Sequence, residues 1–237
     1  SVSEATLKYS NYVQTVFELL DYTKGAQLMR QGLAEDTVIP ILRAEAAMRL
    51  AANLATMAVN GFKQLGSAST PYMSAGLLSQ LEDTAGSSRP VQRYNASSTA
   101  LSETILRGAC DQVFLTGSPD TIVCNLYNAN KFLAFTGAGK DVTIVTQRND
   151  MGAGRYIDHY DYHGVRLDIL VDGDMPNDKM AIVTKNDLQV GWLADDALTN
   201  VVEPTLSSRE KRESLQGSVG FIVENVGYNH LEIYGLA

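Results

Sequence analysis

The stretch from residue 36 to 61 constrains this chain more than any other. Asp36 is placed to cap a helix, and Pro40 falls in its first turn, where a missing N–H costs little. Val38, Leu42, Met48, Ala51, Ala55 and Ala58 follow helical spacing, and Gly61 fits the C′ position, where glycine takes the left-handed conformation. About 25 residues at ~1.5 Å each make a rod of roughly 37 Å. Glu35, Asp36, Arg43, Glu45 and Arg49 crowd its first half, and no charge occurs from residue 50 to 62. The second half is therefore expected to be buried on most sides, with Ala51, Ala52, Ala55 and Ala58 admitting close neighbours. The apolar run 219–223 is expected against Ala51, Ala55 and Ala58, while Arg43, in the wetter half, is expected to tolerate replacement. A helix wet at one end and enclosed at the other suits a strut between modules.

The remainder reads as a mixture of helices and strands. Residues 7–20 form an extended piece leading to a turn near Gly25. Residues 66–98 are rich in Gly, Ser, Thr and Pro and read as a loop with one helical turn at Ala75-Gly76-Leu77-Leu78. A second helix is expected from Ser98 or Thr99, with Leu101, Ile105, Ala109 and Val113 on one face and a stop at Gly117. Strands are expected at 121–126, 142–147, 165–171, 180–184 and 188–193, and a short helix at 128–135 closed by Gly137. Residues 217–236 read as two long strands broken at Gly227. Strands and helices are partly segregated, which makes the class α+β.

Composition narrows the function. At 237 residues the chain fits one large domain or two small ones, and its 45% hydrophobic and 19% charged residues are those of a globular protein. A net charge of -8 argues against gripping nucleic acid through a basic face. No apolar run approaches the ~20 residues that span a bilayer, and no basic segment followed by an apolar stretch opens the chain as a signal peptide would. Cys110 and Cys124 read as buried thiols of a reducing compartment. Asn95-Ala96-Ser97 matches a glycosylation sequon, which carries little weight without a secretory signal.

Each candidate for chemistry has a plainer explanation. In Ile157-Asp158-His159-Tyr160-Asp161-Tyr162-His163, a strand would put His159, Asp161 and His163 on one face, the residue types of a two-His, one-carboxylate metal site. Alternate residues of a strand stand ~6.6 Å apart, however, so three ligands on one flat strand do not converge on an ion. A polar hairpin face is the better account. Thr136-Gly137-Ala138-Gly139-Lys140-Asp141 resembles the end of a phosphate-binding loop, yet Ala134 stands where the first glycine belongs and Asp141 where Ser or Thr belongs. The acidic segment 172–178 lacks the glycine of a calcium loop and carries Pro176 at a ligand position, so it reads as a solvated turn. There is no Gly-x-Ser-x-Gly elbow, and the charge run Arg209-Glu210-Lys211-Arg212-Glu213 reads as a solvated helix face. No catalytic, cofactor-binding or metal residue is assigned, and no cofactor is expected.

The order of the pieces resembles the Hong Kong 97 coat-protein fold. The long helix resembles its spine helix. Ala75-Gly76-Leu77-Leu78, the helix 98–116 and Asp120-Thr121-Ile122-Val123-Cys124-Asn125 are similar to the passage into the apical (A) domain. Residues 163–171 followed by Asp174-Met175-Pro176 resemble the strand and turn before that domain's later strands. Val219-Gly220-Phe221-Ile222-Val223-Glu224-Asn225 resembles the long strand of the peripheral (P) domain, with residues 231–234 the terminal strand. Within the fold, Asn11-Tyr12-Val13-Gln14 resembles an E-loop element of tailed-phage major capsid proteins of the phage SU-ten type.

The resemblance implies a division into 1–33 (E-loop return strand and link), 34–97 (spine helix and P domain), 98–212 (A domain) and 213–237 (long P-domain strand and terminal A-domain strand). It also implies a structural subunit that is not an enzyme. Many copies would form hexamers and pentamers of an icosahedral head around double-stranded DNA, without sequence-specific DNA binding and without a membrane. Portal, scaffolding and decoration proteins are the further partners implied, with the virion as location and the host bacterial cytoplasm as the place of assembly. The family carries an arm and an outgoing strand ahead of the position of Asn11, whereas this sequence opens at Ser1 almost on the return strand, so an upstream piece is expected. An extended start left isolated would need a partner chain to cover it. An encapsulin-like cargo compartment and a small metal-dependent hydrolase built on His159 and His163 remain the alternatives.

Overall fold

The computed structural model describes residues 11–23, 35–82, 92–132, 135, 142–149, 152–203 and 210–237. The elements run β1 (Gln14–Thr23), α1 (Glu35–Asn60), α2 (Leu77–Glu82), β2 (Arg93–Thr99), α3 (Glu103–Phe114), β3 (Thr121–Cys124), α4 (Leu126–Phe132) and β4 (Val142–Asn149). After them come β5 (Gly152–Tyr162), β6 (Val165–Val171), β7 (Lys179–Val183), β8 (Leu188–Trp192), β9 (Thr199–Glu203), β10 (Glu210–Val223) and β11 (Leu231–Leu236). The chain divides into two compact units, one from the described residues of Ser1–Gly76 and Val190–Ile222, the other from those of Leu77–Gln189 and Val223–Ala237.

In the first unit α1 lies on a sheet ordered β1-β10-β8, with β9 also pairing with β10. β1 and β10 are antiparallel over ten residues, from Gln14 opposite Val219 to Thr23 opposite Glu210. The extended piece is therefore not isolated over Gln14–Thr23, because β10 pairs with one edge of it. Period-two alternation turns Gln14, Val16 and Leu20 inward and Phe17 and Leu19 outward. Leu50 packs on Val16, Val219 and Phe221, with Leu54, Met57, Ala58 and Leu215 around them, and Ala46 packs on Leu20 beside Leu42. The buried stripe of α1 thus runs Leu42, Ala46, Leu50, Leu54, Met57 and Ala58, spaced by threes and fours as one helix face requires.

Several expectations for this helix need correction. The run 219–221 does supply its partner, but Ala51, Ala52 and Ala55 are exposed, so the uncharged half is covered on one side only. Absence of charge marked a surface that the subunit leaves open, not one that it buries. Arg43 is no idle surface group: its Nε and Nη2 make a forked ion pair, at 2.8 and 2.9 Å, with Glu213, which is buried on β10. Pro40 lies in the second turn, since the helix begins at Glu35. Gly61 is not left-handed; among the described residues Gly164, Gly227 and Gly235 are the glycines with positive φ. Its N–H bonds to Met57 O at 2.8 Å and its carbonyl accepts from Gly76 N–H at 2.8 Å. A Cβ on Gly61 would stand 2.5 Å from Met57 O, and one on Gly76 2.4 Å from the same atom. Glycine is required at both places because two backbones touch.

The second unit is a seven-stranded mixed sheet ordered β2-β11-β7-β3-β6-β5-β4, with β2/β11 and β3/β6 parallel and the other pairs antiparallel. On one face α3 and α4 cover Ile122, Cys124, Leu167, Met180, Ile182, Leu231 and Ile233, forming the main core with Leu106, Ala109, Cys110, Val113 and Phe132. Ser102 caps α3 by accepting from Ile105 N–H, and Asn125 Oδ1 accepts from Asn128 N–H at the start of α4. The opposite face near β11 carries ions. Fully buried Glu232 is 2.6 Å from Arg93 Nε and 2.9 Å from Lys179 Nζ, and Glu82 of α2 reaches the same two cations. Burial pulls the Lys179 pKa down, and its hydrogen bonds to Glu82 and Glu232 outweigh that and leave it raised.

The α+β class holds, with departures at element ends. The second helix starts at Glu103, because residues 93–99 form a strand that ends with Ser97 and Ser98 at positive φ. The short helix starts at Leu126, directly after a strand that stops at Cys124. Gly137 lies outside the described residues. β9 was not anticipated, and residues 210–213 of the charge run open strand β10 in place of a helix face.

Candidate assembly surfaces

The residues singled out for chemistry are held apart or held inert. His159 and Asp161 share one face of β5, with His159 Nε2 3.5 Å from Asp161 Oδ2, while His163 sits beyond the strand in the turn, at φ 47. Its ring meets Tyr162 edge-on at 4.6 Å. Among the described residues no group of three His, Cys, Asp or Glu is placed to hold a metal. The glycine and lysine of the phosphate-loop-like segment lie outside the described residues. In the acidic segment Asp172 Oδ1 accepts from Asp174 N–H at 2.9 Å, Met175 is buried, and Asn177 O accepts from Asn128 Nδ2 at 2.9 Å, so its polar groups organise a turn. Cys110 and Cys124 are free and buried, and burial pushes both thiols up to about 12, which leaves them protonated and unreactive. Asn95 lies on β2, where its Oδ1 accepts from Ser97 N–H at 2.8 Å.

What the first unit offers is apolar surface on the outside of both its layers. On the helix side Met48 is 71% exposed, with Ile41, Ala51, Ala52 and Ala55 also open. On the sheet's other face Phe17 is 68% exposed and Leu19 lies open beside it. At the β8–β9 edge Trp192, Leu193, Leu198 and Val202 are exposed, Val202 at 70%. A two-layer unit with a core between the layers normally turns polar residues outward. Exposed apolar groups on both faces and one edge are the mark of surfaces that meet other protein. The second unit adds exposed Leu115, Leu126, Tyr127 and Leu170. No described helix is long and apolar enough to cross a membrane.

The Asn11-Tyr12-Val13-Gln14 element acts as a fastener within the first unit. Asn11 Nδ2 donates to Ala75 O at 2.9 Å and Phe221 O at 2.6 Å, and its Oδ1 accepts from Ala75 N–H at 2.8 Å. Gln14 Oε1 accepts from Ser74 N–H at 2.8 Å, and Ser74 Oγ accepts from Phe221 N–H at 3.1 Å. The element thus ties the entry of β1 to the segment after α1 and to the end of β10.

The model of the SU10 major capsid protein family matches residues 3–236. The chain belongs to that family. It is a structural capsid subunit with the Hong Kong 97-type fold. Solved structures agree on the fold. The capsid of an empty GTA particle superposes with a TM-score of 0.62 at 12% identity, covering 100% of this chain and 80% of that one. The holo-encapsulin complex of Synechococcus elongatus PCC 7942 gives 0.59 at 11%, covering 100% and 80%. The satellite phage P4 procapsid gives 0.55 at 12%, covering 100% and 78%. No curated protein matches the sequence. For this capsid family member self-association into a shell is the supported assembly, and the virion is the location.

Proposed function

We propose that this capsid subunit assembles with many copies of itself into hexamers and pentamers that close an icosahedral head around double-stranded DNA, and that it catalyses nothing. The observation that carries this is the apolar surface on both outer faces of the first unit, at Met48 and Ala55 on one side and Phe17 and Leu19 on the other. Such a unit is covered only when neighbours lie over both faces. A net charge of -8 suits a shell that encloses DNA without gripping it. In this reading residues 1–33 and 34–97 supply the E-loop strand, spine helix and peripheral domain, 98–212 the apical domain, and 213–237 the long peripheral strand and the terminal strand. Portal, scaffolding and decoration proteins would be the heterologous partners, and assembly would take place in the bacterial cytoplasm.

Analytical ultracentrifugation with negative-stain microscopy of the purified protein tests the proposal, the expected result being capsomers or closed particles of megadalton mass. A stable 25.7 kDa monomer as the end state would overturn it. The non-catalytic part has its own test, elemental analysis: near one Zn, Fe or Mn per chain, lost in His159→Ala, would contradict it. The similarity to an encapsulin supports a second reading, a cargo compartment. Nucleic acid inside native particles separates the head from the compartment, which would contain a protein cargo.

A further inference from the structure

His230 is fully buried in the second unit, on the residue just before β11, and both ring nitrogens are engaged. Nδ1 accepts from Thr184 N–H at 3.3 Å, and Nε2 lies 2.8 Å from Glu224 O. A carbonyl can only accept, so Nε2 carries the proton and Nδ1 must be bare. The ring is thereby fixed in one neutral tautomer between the end of β7 and the turn that follows β10. The same place ties two chain segments together. Glu224 N–H donates to Asp187 O at 2.9 Å, Gln189 Nε2 to Glu224 Oε1 at 2.9 Å, and the amides of Asn225 and Asn229 to Asp187 Oδ2 at 3.2 and 2.8 Å. These segments adjoin two of the three places where the chain passes from one compact unit to the other, 189/190 and 222/223.

We infer that His230 is a pH-operated latch on these two crossings, closed while its ring is neutral and opened when Nδ1 takes up a proton. A proton on Nδ1 would face the Thr184 N–H, donor against donor, and would charge a ring that has no access to water. The charged groups around it pull the other way. Asp187 Oδ2 stands 3.5 Å from Nε2, and Asp120, whose Oδ1 accepts from Lys185 N–H, lies in the same neighbourhood. Asp187 Oδ2 is already shared by two asparagine amides, and Asp120 Oδ1 by the Lys185 N–H. Burial dominates these acids and lowers the ring's pKa from its ordinary value. A group whose folded pKa is depressed in this way, but whose charged form is the cation, binds more protons when the latch is open. The closed form is fully favoured above the ordinary histidine pKa of about 6.5 and loses ground as pH falls below it. Opening there takes up at most one proton, so the open fraction rises as pH falls, by no more than about tenfold per pH unit.

The inference does not depend on what the subunit assembles into. Hydrogen–deuterium exchange by mass spectrometry, on the protein in its purified state, reads it directly. With intrinsic exchange divided out, peptides covering 184–193 and 223–231 should lose protection severalfold, up to about fivefold, from pH 6.5 to 5.5, while peptides covering 165–171 should not. His230→Asn presents a side-chain acceptor near Nδ1 that does not titrate, and should abolish the dependence. Unchanged protection in the wild type, or the same dependence in His230→Asn, overturns the latch. Exchange at the imidazole C2 position, followed against pH, gives each of the three histidines its own midpoint without any substitution. The His230 midpoint should fall below the ordinary histidine value of about 6.5; one at or above it also overturns the proposal.

Discussion

Asn11 makes four hydrogen bonds with one amide, two donated to Ala75 O and Phe221 O and two accepted from Tyr12 and Ala75 N–H. A bond of this kind contributes about 1 kcal/mol net, so Asn11→Ala should lower subunit stability by about 2–4 kcal/mol, read from the urea midpoint. Gln14→Ala should act in the same direction and less strongly, since its Oε1 holds the Ser74 N–H. Arg43 and Ala55 give a sharper contrast, opposite to the one the charge distribution suggests. Arg43→Glu would set a second carboxylate against buried Glu213 and should cost about 3–5 kcal/mol. Ala55→Glu, on an open face, should change subunit stability by about 0.5 kcal/mol or less. Denaturation of dissociated subunits should show this order, while particle yield should fall for Ala55→Glu as well, because that face is where a neighbour is expected.

At the level of elements, the contact between Gly61 and Gly76 ends α1 and turns the chain towards α2. Gly76→Ala would bring a Cβ to 2.4 Å from Met57 O and 2.7 Å from Gly61 N, both backbone atoms that cannot swing aside. A loss of about 1–3 kcal/mol in thermal or urea unfolding is expected, with soluble yield falling in step. The sequence made α1 legible because 26 residues of helical spacing have few other readings. It made β3, β6, β7 and β11 legible because strands in a sheet covered by helices carry apolar runs such as Thr121-Ile122-Val123-Cys124. β2 was hidden because Arg93-Tyr94-Asn95-Ala96-Ser97-Ser98-Thr99 lies at a sheet edge, where one buried position suffices. The charged opening of β10 read as helix because Glu213 is answered by Arg43, 170 residues away in the chain, and such pairing leaves no trace in local spacing. The uncharged half of α1 was expected to be buried on most sides for a related reason: an apolar helix face reads the same in sequence whether or not its own chain covers it.

For the whole molecule, charge and apolar surface oppose each other. Each subunit carries -8, so bringing copies together costs repulsion that the exposed apolar faces must exceed. Screening by salt reduces the first term and leaves the second, and light scattering at fixed protein concentration should show more assembly at about 0.5 M than at about 0.02 M NaCl, where the Debye length is several times longer. Less assembly at high salt would mean that ion pairs, not apolar faces, hold the contacts. The pairing of Gln14 with Val219 has one more consequence, in time. On the ribosome β1 emerges long before its partner, β10. β11, which stands between β2 and β7, follows later still. Neither sheet can close before β10 and β11 have been made, so Val16, Leu20 and the apolar stripe of α1 must wait until then, wetted and available to any other nascent chain. Contacts this distant in sequence also make folding slow. The chain therefore spends its most vulnerable interval beside the polysome, where many identical copies are being made together, and a holding chaperone would be of most use there.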